Sequence, residues 1–350
     1  MKNFNVAWLT TNRTCNNHCN WCYAKNSLAN TTIMDFSKAK IAVDELKRRG
    51  VKKIILIGGE PTIYNHFFEL ISYIHQRNIK VRVASNGRMF KDISFAEKAK
   101  AAGLDGVNIS IKATDEESYY ANTNAYGLKE MLEGYHNLKN VGVKTSVSYV
   151  VVSDNQNEFD KLICFLEKEN ISSISIQFVK PVLSLDKKEH IMSLDDMGKF
   201  VEYIYRRMEE TNIKYGIEIS FPICLINETI FEKLVKGKHV SNCCHVPKGN
   251  GINFDETFKV MPCNHFNEFP FSDPIDLNNE KALDELMDTE IVKEFRKKAR
   301  SYPTEKCKKC DKWNICGGGC FTRWLMDDPN KYIKWFIAYA RNMMVGIWNY

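Results

Sequence analysis

The sequence predicts an α/β fold, a partial (β/α)6 barrel with a cysteine-rich C-terminal extension. Three observations carry this. Short β-branched runs recur from residue 4 to about 182. Each is followed by an amphipathic stretch of helical period, which makes the strands parallel and their crossovers right-handed. Beyond that the alternation stops, and residues 241–320 are loop-rich and dense in cysteine.

The strands are read in "NVAWLTT", "KKIILIGG", "KVRVASN", "GVNISIK", "VKTSVSYVVV" and "SISIQFVK". Helical patterns lie near 35–49, 66–77, 93–102, 115–140 and 157–169, the fourth broken around Asn124–Gly127. The first shows the logic. Asp35 or Ser37 can cap it, Ile41, Val43 and Leu46 share a face, and Gly50 stops it. Six units are too few to close an eight-fold barrel, so an open one is expected, with functional groups at the C-terminal strand ends. A helix near 194–211, a strand near 216–221 and a closing amphipathic helix near 329–347 follow. The core is assigned to residues 1–230 and the extension to 231–350.

Apolar content of 44% and charged content of 26% are those of a globular protein with a sizeable core. Net charge is +6, and the basic runs "KLVKGKH" and "RKKARSYPTEKCKK" are read as solvated faces rather than a nucleic-acid surface. No apolar run is long enough to span a membrane, and "MKNFNVAWLTTNRT" lacks the apolar core of a secretion signal. A cytoplasmic location is expected, where thiols stay reduced. Yet there are 12 cysteines, and in a reducing compartment their bunching in two regions points to metal. Cys164 in "LICFLEK" and Cys224 in "FPICLI" stand outside both regions and are expected to be buried core thiols.

"TCNNHCNWCY" places Cys15, Cys19 and Cys22 just after the first strand, at a spacing too irregular for one helix face. Three thiolates can hold three corners of a [4Fe–4S] cluster and leave one iron open. The alternative is zinc, borrowing a ligand such as His18. The second strand ends in "IILIGGEPT", where Gly58 and Gly59 allow close backbone approach and Glu60–Pro61 fixes the exit.

Together these motifs resemble those of the radical S-adenosylmethionine (SAM) superfamily. The resemblance implies that Cys15, Cys19 and Cys22 hold the cluster while SAM chelates the fourth iron. It implies that Trp21 packs near the adenine, and that Gly58, Gly59 and Glu60 bind the methionine amino group. Ser85 and Asn86 of "ASNG" and Ser110 of "NISIKA" would face the carboxylate and ribose, although Lys112 departs from the family pattern there. The chemistry implied is a 5′-deoxyadenosyl radical that abstracts hydrogen from an inert C–H, with the cofactor carrying the hard step. No paired-carboxylate or Ser–His–Asp arrangement is evident, and no catalytic acid or base is assigned.

The second region contains "CKKCDKWNICGGGC", a C-X2-C-X5-C-X3-C run over residues 307–320, whose three glycines permit a sharp backbone path. Alone it would suit a zinc knuckle. Behind the first motif, and with Cys243, Cys244 and Cys263 upstream, it resembles the SPASM extension, which carries auxiliary [4Fe–4S] clusters. One cluster would use Cys263, Cys320 and one or both of Cys243 and Cys244; the other would use Cys307, Cys310 and Cys316. Two departures stand out. Phe258 occupies a place usually held by glycine, so the hairpin is expected to turn differently. No cysteine follows Cys320, so the second cluster is expected to take Asp327 or Asp328, stay open, or not form.

The resemblance implies oxidation or crosslinking of residues in a ribosomally made peptide. Only about 14 residues precede Cys15, so a separate leader-binding protein or the barrel itself is expected to present the peptide. A flavodoxin- or ferredoxin-type protein would donate the electron. A sulfatase-maturing enzyme is the alternative, weakened because Asn264, which cannot take a proton, stands where those enzymes carry an aspartate base. A small-molecule dehydrogenase or epimerase, and a metal-binding electron-transfer module without catalysis, are the others.

Overall fold

The computed structural model describes residues 3–24, 31–182, 190–242 and 244–324. Cys243, Asp327, Asp328 and the expected closing helix lie outside them.

Strands β1 (Val6–Thr10), β2 (Lys53–Ile57), β3 (Lys80–Ser85), β4 (Gly106–Ile111), β5 (Lys144–Val151) and β6 (Ser173–Phe178) lie side by side in chain order, all parallel. Between them run α1 (Phe36–Arg48), α2 (Phe67–Gln76), α3 (Ile93–Ala101), α4 (Glu116–Thr123), α5 (Leu128–Asn140) and α6 (Phe159–Lys168). Helix α1 forms as its sequence demands. Asp35 accepts the Lys38 N–H at 2.8 Å and caps the start, while Ala39, Ala42, Val43 and Leu46 are buried against the sheet. The break between α4 and α5 comes where Asn124 takes a left-handed φ of 48°, which asparagine tolerates.

The sheet does not stop at six strands. After α7 (Leu194–Met208), β7 (Lys214–Glu218) pairs with β6; after α8 (Glu228–Lys236), β8 (Val240–Ser241) pairs with β7. At the other edge β9 (Gly251–Phe254) lies parallel to β1, and β10 (Val260–Met261) runs antiparallel beyond it. The extension is therefore built onto both edges of the core. The stretch expected to be loop-rich also contains α9 (Ala282–Asp288), α10 (Glu290–Ala299), α11 (Glu305–Lys308) and α12 (Trp313–Cys316). Leu283, Leu286, Val292 and Phe295 are buried at helical spacing there, a short signal diluted by charge. The Arg49 side chain, fully buried, reaches Glu45 and, at 2.8 Å, Asp284, and so ties α1 to α9.

Alternation along the strands separates two faces. Val81, Val83, Val107, Ile109, Ile174 and Ile176 are buried in the apolar core. Arg82, Asn108, Ser110, Ser175 and Gln177 are the intervening, half-buried residues, and they give the other face of the sheet a polar lining.

Two expectations are corrected. Cys164 and Cys224 are exposed, not buried. On α6 the buried residues include Leu162, Ile163, Phe165 and Leu166, and Cys164 is rotated out from that arc. Cys224 sits on a single 3-10 turn that buries Ile223 instead. Nor does the hairpin avoid the glycine conformation, because Phe258 itself adopts φ 70°. Asp255 holds the turn by accepting the N–H groups of Thr257 and Lys259, and the Phe258 ring is 3% exposed.

Candidate functional site

The first cysteine loop leaves the C-terminal end of β1 and is clamped to the end of β2. Gly59 N–H donates to Asn12 O at 2.9 Å, and Glu60 N–H donates to Thr14 O at 2.8 Å. A Cβ on Gly58 would stand 2.5 Å from Asn12 Oδ1, and one on Gly59 would collide with the backbone of Arg13 and Thr14. The glycines are thus needed for the approach of one protein segment to another. Further along, the loop rests on α4: His18 N–H reaches Thr123 O at 2.7 Å, and Asn17 Nδ2 reaches the Tyr119 hydroxyl at 2.9 Å. Arg88 holds Asn17 Oδ1 at 2.8 Å from the far side. His18, the candidate zinc ligand, is exposed.

Glu60 turns its side chain inward. Its carboxylate accepts from Thr62 Oγ1 (2.6 Å), Ser85 Oγ (2.8 Å) and Asn86 N–H (2.8 Å), at 2% exposure. It therefore fastens the end of β3 to the end of β2. Burial still pushes its carboxyl above the ordinary range, because these donors only partly replace water. Asn86 Nδ2 in turn reaches Asn16 Oδ1 at 2.6 Å, so Ser85 and Asn86 are joined to the cysteine loop. Ser110 is half-buried on the polar face and pairs in register with Ser148 of β5. Trp21 lies edge-on to His190 at 6.5 Å, and its indole N–H is buried with no hydrogen-bond partner among the described residues.

The second cysteine region comes to the same end of the sheet. Cys244, Cys263 and Cys320 are electrostatic neighbours of one another and of Lys180. Lys180 follows β6 and pairs with Glu218 of β7 at 2.6 Å, which, after the opposing effect of burial, holds its ammonium above the usual lysine range. Tyr23 lies between the two regions. Its hydroxyl neighbours Cys22 and Cys15 on one side and Cys263 on the other, and its ring packs against His265 at 5.3 Å. Burial, followed by the charge of Cys22, pushes the Tyr23 hydroxyl up, so it stays protonated. Cys307 and Cys310 stand apart from this group, on and just after α11, and Cys316 ends α12. Gly317, Gly318 and Gly319 all have φ between 56° and 77°, the sharp path expected of them.

Five of these cysteines share a local geometry. The sulfurs of Cys15 and Cys22 receive the N–H two residues on, from Asn17 and Ala24, both at 3.4 Å. Those of Cys244, Cys263 and Cys316 receive the N–H of Val246, His265 and Gly318. Such N–H···S contacts stabilise a thiolate and suit the sulfur-only donor set of an iron–sulfur cluster. The Cys15 and Cys244 thiols nonetheless hold their protons at neutral pH. Burial and then the Glu60 carboxylate push Cys15 up to about 12, and burial and then Cys320 push Cys244 up to about 11. Among the described residues no three Cys, His, Asp or Glu side chains gather closely enough to hold a single ion.

Sequence reading missed Tyr23, Lys180, Glu218 and the buried pair formed by Arg13 and Glu256 (2.6 Å). Only Lys180 had a legible signal, a charge directly after the apolar run "SISIQFV".

Residues 9–166 match the family model of the Radical SAM superfamily. The probable GTP 3′,8-cyclase of Saccharolobus islandicus (strain M.14.25 / Kamchatka #1) is 28% identical over 214 residues, 60% of this chain and 66% of its own. That of Sulfolobus acidocaldarius is 29% identical over 176 residues, 50% of this chain and 56% of its own. The chain thus spans less than two thirds of the length of these relatives. Native anSMEcpe with bound AdoMet has a TM-score of 0.71 at 18% identity, over 98% of both chains. Streptococcus suis SuiB bound to precursor peptide SuiA has a TM-score of 0.70 at 19% identity, over 94% of this chain and 74% of that one. At such identities the likeness is one of fold, and it extends through the cysteine-rich segment.

Proposed function

The chain carries a radical SAM domain, and on that premise we propose that it oxidatively modifies or crosslinks residues of a ribosomally made peptide. Cys15, Cys19 and Cys22 would hold a [4Fe–4S] cluster whose open iron takes SAM. When reduced, that pair supplies a 5′-deoxyadenosyl radical able to take hydrogen from an inert C–H. The residues would do the rest. Trp21 offers its unpartnered N–H and ring to the adenine, the Gly58–Glu60 turn with Ser85 and Asn86 frames the methionine end, and Ser110 reaches the ribose.

The observation that carries an oxidative reading is the meeting of the two cysteine regions across Tyr23 and His265. Cys244, Cys263 and Cys320, with Cys243, would hold one auxiliary cluster; Cys307, Cys310 and Cys316 would serve another. Lys180 places a positive charge beside the first of these sets, which would raise the reduction potential of a cluster held there. The polar lining of Asn108, Ser110, Ser175 and Gln177 is a surface on which a peptide backbone can be hydrogen-bonded. We assign the core to residues 1–230 and the auxiliary segment to 231–350, working in the cytoplasm with a flavodoxin- or ferredoxin-type donor and a separate leader-binding protein.

A small-molecule reading is favoured by the curated relatives, which are named as GTP 3′,8-cyclases, although their match leaves about 40% of this chain uncovered. One experiment separates the two. Anaerobically reconstituted protein is given SAM and dithionite with either GTP or short peptides encoded beside its gene. The peptide reading expects 5′-deoxyadenosine, a peptide lighter by two hydrogens, and loss of both with Cys19→Ala. Turnover of GTP with no mass change in any peptide would overturn it.

A further inference from the structure

Cys307, Cys310 and Cys316 supply three thiols of a centre that a fourth would complete. The structure brings another thiol, from a distant part of the chain, beside Cys316. After β7, residues 220–231 turn into α8 and run antiparallel to residues 312–320. Three contacts fix the register. Cys320 N–H donates to Ser220 O at 3.1 Å. A Cβ on Gly319 would stand 2.7 Å from the Phe221 backbone, so the glycine turn is pressed onto that segment. Lys312 Nζ pairs with Glu228 and lies over the Phe231 ring at 5.6 Å from its centroid. Residue 220 thus stands beside 320, 224 beside 316, and 228 beside 312. At the middle of this run the Cys316 sulfur faces the backbone N–H groups of Ile223, Gly318 and Gly319, with the Cys224 thiol as its neighbour.

We propose that Cys224 is the fourth thiolate of the metal–sulfur centre held by Cys307, Cys310 and Cys316. This rests on the auxiliary-cluster reading above and replaces Asp327 and Asp328 as its completing ligands. The placement explains two features at once. Cys224 is exposed on a turn whose neighbour Ile223 is buried, so its thiol is presented outward at the seam between the two segments. Donors meet the sulfur of Cys316 from both segments, from Ile223 on one and from Gly318 and Gly319 on the other. A centre formed there would cross-link the end of the barrel sheet to the cysteine run, each thiol releasing its proton to solvent as its sulfur binds the metal.

The test uses the full chain, reconstituted anaerobically with iron and sulfide, as wild type and as Cys224→Ser, Cys307→Ser and Cys164→Ser. Iron per chain and the EPR spectrum of the dithionite-reduced protein are measured. Cys224→Ser and Cys307→Ser should each lose about four irons or convert one centre to a three-iron signal, and Cys164→Ser should match wild type. In wild type, Cys224 should react with iodoacetamide before reconstitution and be protected after it, which decides the matter even if Cys224→Ser fails to fold. The proposal falls if Cys224→Ser keeps full iron and an unchanged spectrum, if Cys224 labels equally in both states, or if Asp327→Ala or Asp328→Ala depletes the iron instead. If Cys307→Ser also leaves the iron unchanged, the auxiliary-cluster reading itself falls.

Discussion

The pair formed by Arg13 and Glu256 joins the first cysteine loop to the hairpin between β9 and β10. Both side chains are 4% exposed, with Nε and Oε2 at 2.6 Å. Replacing Glu256 by leucine leaves a buried guanidinium without this carboxylate. Removing one partner of a buried pair costs about 3–5 kcal/mol. Arg13 interacts elsewhere as well, so the lower end is expected. Burial raises the Glu256 carboxyl above its ordinary range, which means the attraction of Arg13 does not repay desolvation. Removing both charges, as Arg13→Met with Glu256→Leu, should therefore restore stability to within about 1 kcal/mol of wild type. Unfolding entropy near 2.1 cal/mol/K per residue makes each kcal/mol worth about 1.4 °C in a chain of this length. Glu256→Leu should thus melt about 4 °C low, and the double variant within about 1.5 °C of wild type. Guanidinium unfolding of the metal-free protein under argon gives the free energies, provided the slope with denaturant stays constant. A single variant as stable as wild type, or a double variant as unstable as the single, would refute the reasoning.

Gly59→Ala drives a Cβ into the backbone of Arg13 and Thr14, and neither can give way without moving the cysteine loop. It should abolish 5′-deoxyadenosine formation and lower iron content, whereas Gly216→Ala, with open space around it and no left-handed backbone, should keep both. At the N-terminus of α4, the Ser118 N–H holds the Asp115 carboxyl below its usual range, so its contribution is present above about pH 3.9 and lost as pH falls through the lowered value. Asp115→Ala should cost about 1 kcal/mol at neutral pH, with the gap to wild type narrowing in acid, while Asp115→Asn stays near wild type. Phe258→Gly relieves a left-handed backbone worth about 1–3 kcal/mol but empties a site where a buried ring contributes about 3–5. Net destabilisation of about 2 kcal/mol by urea unfolding is expected, and a stabilised variant would show that the turn, not packing, sets the balance.

The elements that could be read from sequence were those with a long and unbroken period. All six barrel strands, and the interruption at Asn124, lie where alternation and turn residues put them. Helices α9 and α10 escaped because each buries only a few apolar residues among many charges. The thiols of Cys164 and Cys224 were misread because apolar neighbours in sequence say nothing of rotation about a helix or turn. Phe258 shows the converse, since a buried ring and the Asp255 hydrogen bonds held a residue where glycine was expected.

By itself, the sequence determined the succession of strand and helix, the spacing of three thiols on the first loop and the glycines that let it approach β2. Those features depend on periods of two to four residues, and local sterics decide them before the chain is compact. Only the tertiary structure decided which strands extend the two edges, what stands between the cysteine regions, and which thiol lies beside Cys316. Those juxtapositions join segments far apart along the chain, and which of many chemically equal residues meet is set by how the sheet and its apolar core close around them.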